Sequence, residues 1–422
     1  MSDIPVKSSS TTSPISRTKR KTVLIPGRVI EAQLLEISWR GGVTVTRKQS
    51  AVASPHWKND ANLVEIEQPD EFCYAAGSQR PAAYLVKSKA GANNKVDIKL
   101  RVTKTKPEAP STMKLKGTLG GLTIEGDCPT AVGEHQITAT VVNLPDTLAC
   151  YSGDASWKLN DAATGISAAV TPATRLEVYV LLDRPGTPFG SGVWAEVLRF
   201  LFKRASVAGV STSKAAIAKV TDYCHHGHGL HYDTISGAPH FGGAVAMSGG
   251  LFELTKYMQK RAVKPAGAAA SGGAADDGRT VNCYDQASAV FCLAAALGVK
   301  PGIYFQNPFG YINSTDLVGI GSCNNPFFSS NGSTPVIAGD SPSRTSFGNH
   351  AFAHLAHKVE DACAGPHHDE ALRAYLTASI DTVQSSREIS RAYKIQPPLA
   401  PDEYIGQLLM TTKEFPGVGA VK

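Results

Sequence analysis

No run in this sequence approaches the roughly 18 consecutive apolar residues that a membrane-spanning helix requires. Met1 is not followed by an apolar stretch with a small-residue cleavage site, so no cleavable secretory signal is expected. The Cys-x-x-Cys spacing of thiolate zinc sites is missing. Eight cysteines in 422 residues permit disulfides but lack the density of a stapled secreted mini-domain. Charge is sparse too, at 18% of residues, and its balance of +6 is unevenly spread. Residues 1–22 hold Lys7, Arg17, Lys19, Arg20 and Lys21 against Asp3, which leaves the remainder nearly neutral. A basic face for nucleic acid is therefore not expected. The chain reads as cytoplasmic, or as exported without a cleavable signal, with no membrane insertion.

What is present is a globular composition, 42% hydrophobic, long enough for two or three domains. The Ser/Thr/Lys/Arg head, 1–22, reads as a disordered basic tail. From 23 to about 180 the pattern is strand-like. Val43-Thr44-Val45-Thr46 and Gln136 to Val142 are β-branched runs bounded by turn residues, and Val96 to Val102 alternates apolar with polar. Short strands with few helical stripes predict a β-sandwich or two small β-modules. No nucleophile sits with a base there, so this region reads as binding, delivery or scaffold.

The composition shifts at Arg184-Pro185-Gly186, and residues 185–422 read as an α+β catalytic domain. Trp194, Val197, Leu198, Leu201 and Phe202 form a helical stripe. A second helix is expected from Lys214 to Tyr223 and a short one from Leu251 to Arg261. The Ala/Gly/Ser/Asp segment 262–280 lacks periodicity and reads as a flexible loop, placed as a lid or binding loop would be.

The chemistry concentrates just beyond it. In Asn282-Cys283-Tyr284-Asp285-Gln286-Ala287, Asn282 is a good helix N-cap and Asp285 stands where a capping box places its acid. Ala287, Val290, Phe291, Ala294 and Leu297 continue as an apolar stripe to Gly298, suited to the position past the helix end. Cys283 thus opens a buried helix. Unpaired N–H groups and the positive end of the helix dipole favour the thiolate there and can hold an oxyanion. Cys292 reads as an ordinary core cysteine. Farther on, Phe347-Gly348-Asn349-His350-Ala351-Phe352-Ala353 and Lys358-Val359-Glu360-Asp361-Ala362 read as two strands joined by a short turn. A His on one strand can then lie beside an Asp on the next, and a nucleophilic Cys needs such a base with a third group to orient it.

These motifs resemble the core of the transglutaminase-like superfamily of papain-fold enzymes. In that family a Cys opens a helix, and the His and Asp lie on successive strands packed against it. The resemblance implies Cys283 as nucleophile, His350 as base and Asp361 as the residue that orients the His. It covers the stretch from Cys283 to Asp361 and, more loosely, 200–370. Phe352 departs from the Trp that many members carry, and no side chain matches the family's oxyanion donor.

Other residues compete for these roles. His354 shares a strand face with His350, His357 is nearer the turn, and Asp369 is the alternative to Asp361. Cys224-His225-His226-Gly227-His228-Gly229-Leu230-His231 is rich enough in imidazole to hold zinc or copper, but its irregular spacing favours loop residues, and no metal is expected. Leu230 to Gly243 is read as lining the cleft opposite Cys283. Asn307, Tyr311 and Asn313 read as turn residues or as groups that position a substrate amide.

The expected activity is acyl transfer from an amide: glutamine deamidation, cross-linking, or amide or peptide hydrolysis, on a protein or peptide substrate and with no cofactor. A basic head, a β-rich middle and a C-terminal catalytic part look like a bacterial effector or toxin, which would imply a secretion-system carrier or an immunity protein as partner. The competing classes are a non-enzymatic binding protein on a papain-like fold and a His-rich metal-binding protein.

Overall fold

A computed structural model describes residues 29–47, 50–51, 56–59, 81–260 and 278–422. The basic head 1–22, Cys73 and most of the segment 262–280 lie outside the described residues. The described part of the chain is mixed α+β, with strands concentrated before residue 182.

The first part is built on β1 (Ile30–Arg40), β2 (Ala82–Leu85), β3 (Lys95–Thr105), β4 (Thr112–Leu119), β5 (Leu122–Pro129), β6 (Gly133–Val141), β7 (Ala149–Asn160) and β8 (Ser167–Leu181). Alternation sets the buried face. Val96, Ile98, Leu100 and Val102 of β3 and Met113, Leu115 and Leu119 of β4 are all buried. Where β4 crosses β7, Gly117 stands opposite Trp157. A Cβ at Gly117 would lie 2.3 Å from the indole, so the missing side chain is what lets the ring settle on the strand. The indole Nε1 donates to Thr174 Oγ1 at 2.8 Å.

Seven of these strands follow one another in space as β1-β3-β6-β5-β4-β7-β8. The series closes because β8 returns alongside β1 in parallel, with Val170 beside Ala32 and Thr171 beside Gln33. The β-rich part is thus a closed ring of strands, neither the β-sandwich nor the two small β-modules expected from the pattern. Toward their C-terminal ends the two strands separate. β1 there pairs with Trp57–Lys58, and β8 takes β2 as its neighbour. A period-two pattern fixes which face is buried but not which edges meet.

Past β8 come α1 (Ala195–Lys203), α2 (Ser213–Asp222) and α3 (Cys283–Ala296). The face of β8 that carries Glu177 and Tyr179 meets α1, where Phe202 packs on Tyr179 with ring centroids 5.2 Å apart. A π-helical turn, Tyr223–Gly227, extends α2. The helix expected at Leu251 to Arg261 is shorter, Leu254–Gln259.

The second sheet contains β9 (Gly302–Gln306), β10 (His350–Leu355), β11 (Lys358–Asp361), β12 (His367–Ala371) and β13 (Lys413–Phe415) in the order β12-β11-β10-β9-β13. Each pairing is antiparallel. The β10–β11 turn is Ala356-His357, both at positive φ, the conformation of the tightest hairpin turns. α3 packs against β10. Its end is marked by Gly298 at φ 84°, where a Cβ would meet the Asp183 backbone at 2.1 Å. That glycine lets the chain leaving β8 pass close enough for Leu182 N–H to donate to Leu297 O at 3.1 Å. The helices α4 (Leu372–Ser379), α5 (Thr382–Tyr393) and α6 (Pro401–Thr411) follow. No described helix is long and apolar enough to cross a membrane.

Candidate active site

The start of α3 is fixed by its own sequence. Asn282 Oδ1 accepts from Asp285 N–H at 3.1 Å, and Asp285 accepts from Asn282 N–H at 3.3 Å, closing a capping box. The same carboxylate accepts from the main-chain N–H groups of His240 at 2.7 Å and Phe241 at 2.9 Å, and Asn282 Nδ2 donates to Gly237 O at 2.9 Å. The cap therefore also fastens the loop 233–241 around the first turn of the helix. Asp233 folds that loop by accepting from the N–H groups of Ile235, Ser236 and Ala238. Burial lifts the Asp285 carboxyl to about 6, against the pull of these N–H donors.

Cys283 stands on this first turn and is 4% exposed. Nearly every side of α3 is buried, so the helix is a central element with its dipole directed at the thiol. His350 opens β10 and Asp361 closes β11. The register pairs Ala353 with Glu360 and His354 with Val359, which sets Asp361 diagonal to His350 on one face. His350 Nε2 and Asp361 Oδ2 are 2.8 Å apart, and both side chains are buried. Asp361 Oδ1 accepts from Cys363 N–H at 2.8 Å, and its Oδ2 also accepts from the Tyr375 hydroxyl at 2.8 Å. Burial opposes the carboxylate, but the His350 charge and hydrogen bond outweigh it and hold Asp361 well below the usual carboxylate range. Burial likewise opposes the His350 imidazolium. Asp361 outweighs it and, with a smaller contribution from Cys283, raises His350 to about 10. With Nε2 committed to Asp361, Nδ1 is the nitrogen left for the thiol. It makes no hydrogen bond of ordinary geometry to a described residue.

Aromatic rings hold the imidazole. Phe347 stacks on His350 with an interplanar angle of 2°, and Phe309 and Phe352 lie at centroid distances of 4.8 and 5.6 Å. Buried Tyr232 packs against Phe347, and Tyr284 donates to Asn349 Oδ1. Gln286, one turn below Cys283, donates to Cys224 O and Ala362 O at 2.9 and 3.0 Å, tying α3 to the strand end that carries Asp361. The sequence reading missed Tyr375, which lies in an ordinary helix pattern that no local signal marks. Gln286 stood in the Cys283 motif and Tyr232 in the segment read as cleft lining, but neither was given a role of its own. Tyr375→Phe deletes a donor to Asp361, and hydrogen bonds to charged groups contribute about 1.5–3 kcal/mol. Turnover should fall on the order of tenfold with the circular dichroism unchanged; an unaltered rate would assign Tyr375 to packing.

The competing residues lie elsewhere. His354 does share the face of His350, but it stacks on Tyr304 at 4.0 Å and its Nε2 is 3.2 Å from Glu414 Oε1, toward the other end of the strand. His357 is in the turn and meets the Tyr304 hydroxyl at 2.8 Å. Asp369 does not meet His350. It lies within β12 and pairs with Lys214 on α2. The Asn313 side chain donates to Ala378 O and Ile380 O, and the Tyr311 ring lies under the Arg344 guanidinium at 5.2 Å. Asn307 precedes Pro308 at a chain reversal. The His-rich segment is divided. His228 is held by Tyr223 and by Tyr257 O, and His231 meets Thr280, whereas His225 and His226 both approach Asp316.

All seven cysteines among the described residues are free. Burial raises the thiols of Cys128 and Cys150 to about 11 and of Cys224 to about 12, and pushes up Cys292, Cys323 and Cys363. Among these seven, iodoacetamide at neutral pH is expected to alkylate Cys283 first, read by peptide mapping. Earlier labelling of Cys323 or Cys363 would place the most reactive thiol elsewhere.

No protein-family model matches the chain, and no curated protein matches it. Twelve chains of solved structures match. One is the red sea bream transglutaminase, at 12% identity and a TM-score of 0.38, over 66% of this chain and 51% of that one. The match spans about half the length of that enzyme.

Proposed function

We propose that this chain is a cysteine-dependent enzyme of the transglutaminase-like, papain-fold kind that transfers an acyl group from an amide. The observation that carries the reading is the buried His350–Asp361 pair at 2.8 Å, set beside a cysteine on the first turn of a buried helix. In this reading the Cys283 thiolate attacks the amide carbonyl carbon. The carbon–nitrogen bond breaks as the His350 imidazolium gives its proton to the leaving nitrogen, and ammonia or an amine departs. His350 then takes a proton from water or from an amine, which attacks the thioester and restores the thiol. Water gives hydrolysis or deamidation; an amine gives a cross-link. N–H groups at the start of α3 stabilise the oxyanion, and Asp361 keeps the imidazole in its working orientation.

The substrate is proposed to be a glutamine side chain or peptide bond of a protein or peptide. Mass spectrometry of candidate protein substrates, treated with wild type and with Cys283→Ala, tests the proposal. A gain of roughly one dalton at glutamine, a cleavage or a cross-link that needs Cys283 supports acyl transfer through a thioester. Identical substrate masses with both proteins, and no covalent capture of an amide-mimicking electrophile by wild type, would sink it.

A further inference from the structure

We propose that His225, His226 and Asp316 form a site for a dication of the zinc class, on the outer side of the strand end that carries Asp361. The inference is independent of the acyl-transfer reading. It begins with a proton count. His225 Nδ1 lies 3.1 Å from Ala362 O, and a carbonyl oxygen can only accept, so Nδ1 carries the proton. His225 is 3% exposed, so its ring is fixed in place by the surrounding fold. That leaves Nε2 as the atom free to ligate, and it lies 3.6 Å from Asp316 Oδ2. His226 Nε2 is 3.5 Å from the same oxygen. Two imidazole nitrogens thus converge on one carboxylate oxygen, the arrangement in which a dication can replace the protons that would otherwise bridge them.

The spacing suits a metal. Tetrahedral zinc with bonds of about 2.0–2.1 Å holds neighbouring ligand atoms roughly 3.3–3.4 Å apart. The three donor atoms here lie within 4.8 Å of one another. Imidazole and carboxylate donors suit zinc, and the exposed side of His226 and Asp316 leaves the remaining corner to water. The bond from His225 Nδ1 to a main-chain carbonyl is the usual outer contact of a metal-bound histidine, fixing the ring and making Nε2 more basic.

The local fold brings the donors together. The π-helical turn Tyr223–Gly227 carries the two adjacent histidines, and π-turns of this kind often occur at functional sites. Asp316 lies on a short hairpin, Thr315–Leu317 with Gly321–Cys323, beside the chain that follows Asp361. Thr315 Oγ1 donates to Ala364 O, and Val318 N–H donates to Cys363 O. A metal would therefore clamp the π-turn and the hairpin around residues 361–364. Ala362 O, which accepts from both His225 and Gln286, links the clamp to α3. The bound ion positions the strand end and takes no part in the chemistry at Cys283.

The test uses the untagged full-length protein, stripped with a chelator and titrated with zinc against a chromophoric competitor. One tight site is expected. His226→Ala and Asp316→Asn, both at exposed positions, should each weaken it by roughly ten- to a hundredfold or more without loss of fold. Hydrogen exchange at the Cys363 and Ala364 amides should slow when zinc binds to wild type and stay unchanged in Asp316→Asn. No saturable binding by wild type, or equal binding by wild type and both variants, overturns the site. Tight binding with unchanged exchange at 363–364 overturns the clamp.

Discussion

Cys283→Ala and His350→Ala are each expected to lower kcat/KM for an amide substrate by about 10³-fold or more, with the fold retained. On the proposed reading the first removes the atom that would form the thioester, and the second the group that would take the thiol proton and return it to the leaving nitrogen. Because the two act as one unit, the double variant should be no worse than either single one. Asp361→Asn keeps the shape and the capacity to accept from Tyr375 but loses the charge that holds the imidazolium, and the amide can fix the wrong ring tautomer. The pH profile supplies a second readout. His350, raised to about 10 by Asp361 and Cys283 against the effect of burial, keeps its proton through the neutral range. Turnover should therefore decline as pH rises through about 10, where the leaving nitrogen loses its proton donor. In Asp361→Asn this alkaline limb should move down. His354→Ala is the control, because that ring stacks on Tyr304 beside Glu414. If His354→Ala abolished turnover while His350→Ala kept most of it, the base would have to be reassigned.

Much of the site could be read in the sequence because the chemistry that builds it is local. Asn282 and Asp285 are three residues apart and cap each other, so the position of Cys283 on the first turn follows from a short motif. His350 and Asp361 lie on a tight hairpin, where alternation and one short turn set which residues neighbour each other. What could not be read depends on distant partners. The closure of β8 onto β1 rests on two residue pairs whose strands look like any others in the pattern. Tyr375 reaches Asp361 from a helix that follows a third strand, and that strand, which carries Asp369, was not among those read from the sequence. The His-rich segment looked like a loop because its spacing is irregular. The grouping of two of its imidazoles depends on Asp316, which is remote in sequence. The stripe from Trp194 to Phe202 correctly marked a helix, but polar positions between its members do not all face water. Glu196 and Arg199 are buried there.

Arg199→Met is expected to destabilise the protein by about 3–5 kcal/mol, the usual cost of breaking a buried ion pair by removing one partner. Arg199 and Glu177 both have side chains with 0% exposure. The guanidinium meets the carboxylate as a fork, with Nε 3.0 Å from Oε1 and Nη2 2.7 Å from Oε2. The Tyr179 hydroxyl also donates to Glu177. The pair joins β8 of the strand ring to α1. Removing the arginine strands a buried carboxylate with a hydroxyl donor in place of a full counter-charge. Adding Glu177→Gln to Arg199→Met removes that charge while keeping an oxygen to accept from Tyr179. The double variant should therefore recover at least half of the loss, since a neutral replacement of a buried pair is often nearly as stable as the pair itself. Urea denaturation of wild type, the single variant and the double variant measures both steps. A single variant within about 1 kcal/mol of wild type would mean that water or a local rearrangement reaches Glu177 once the guanidinium is gone. A double variant no better than the single one would place the loss in packing of the arginine stem, not in the stranded charge.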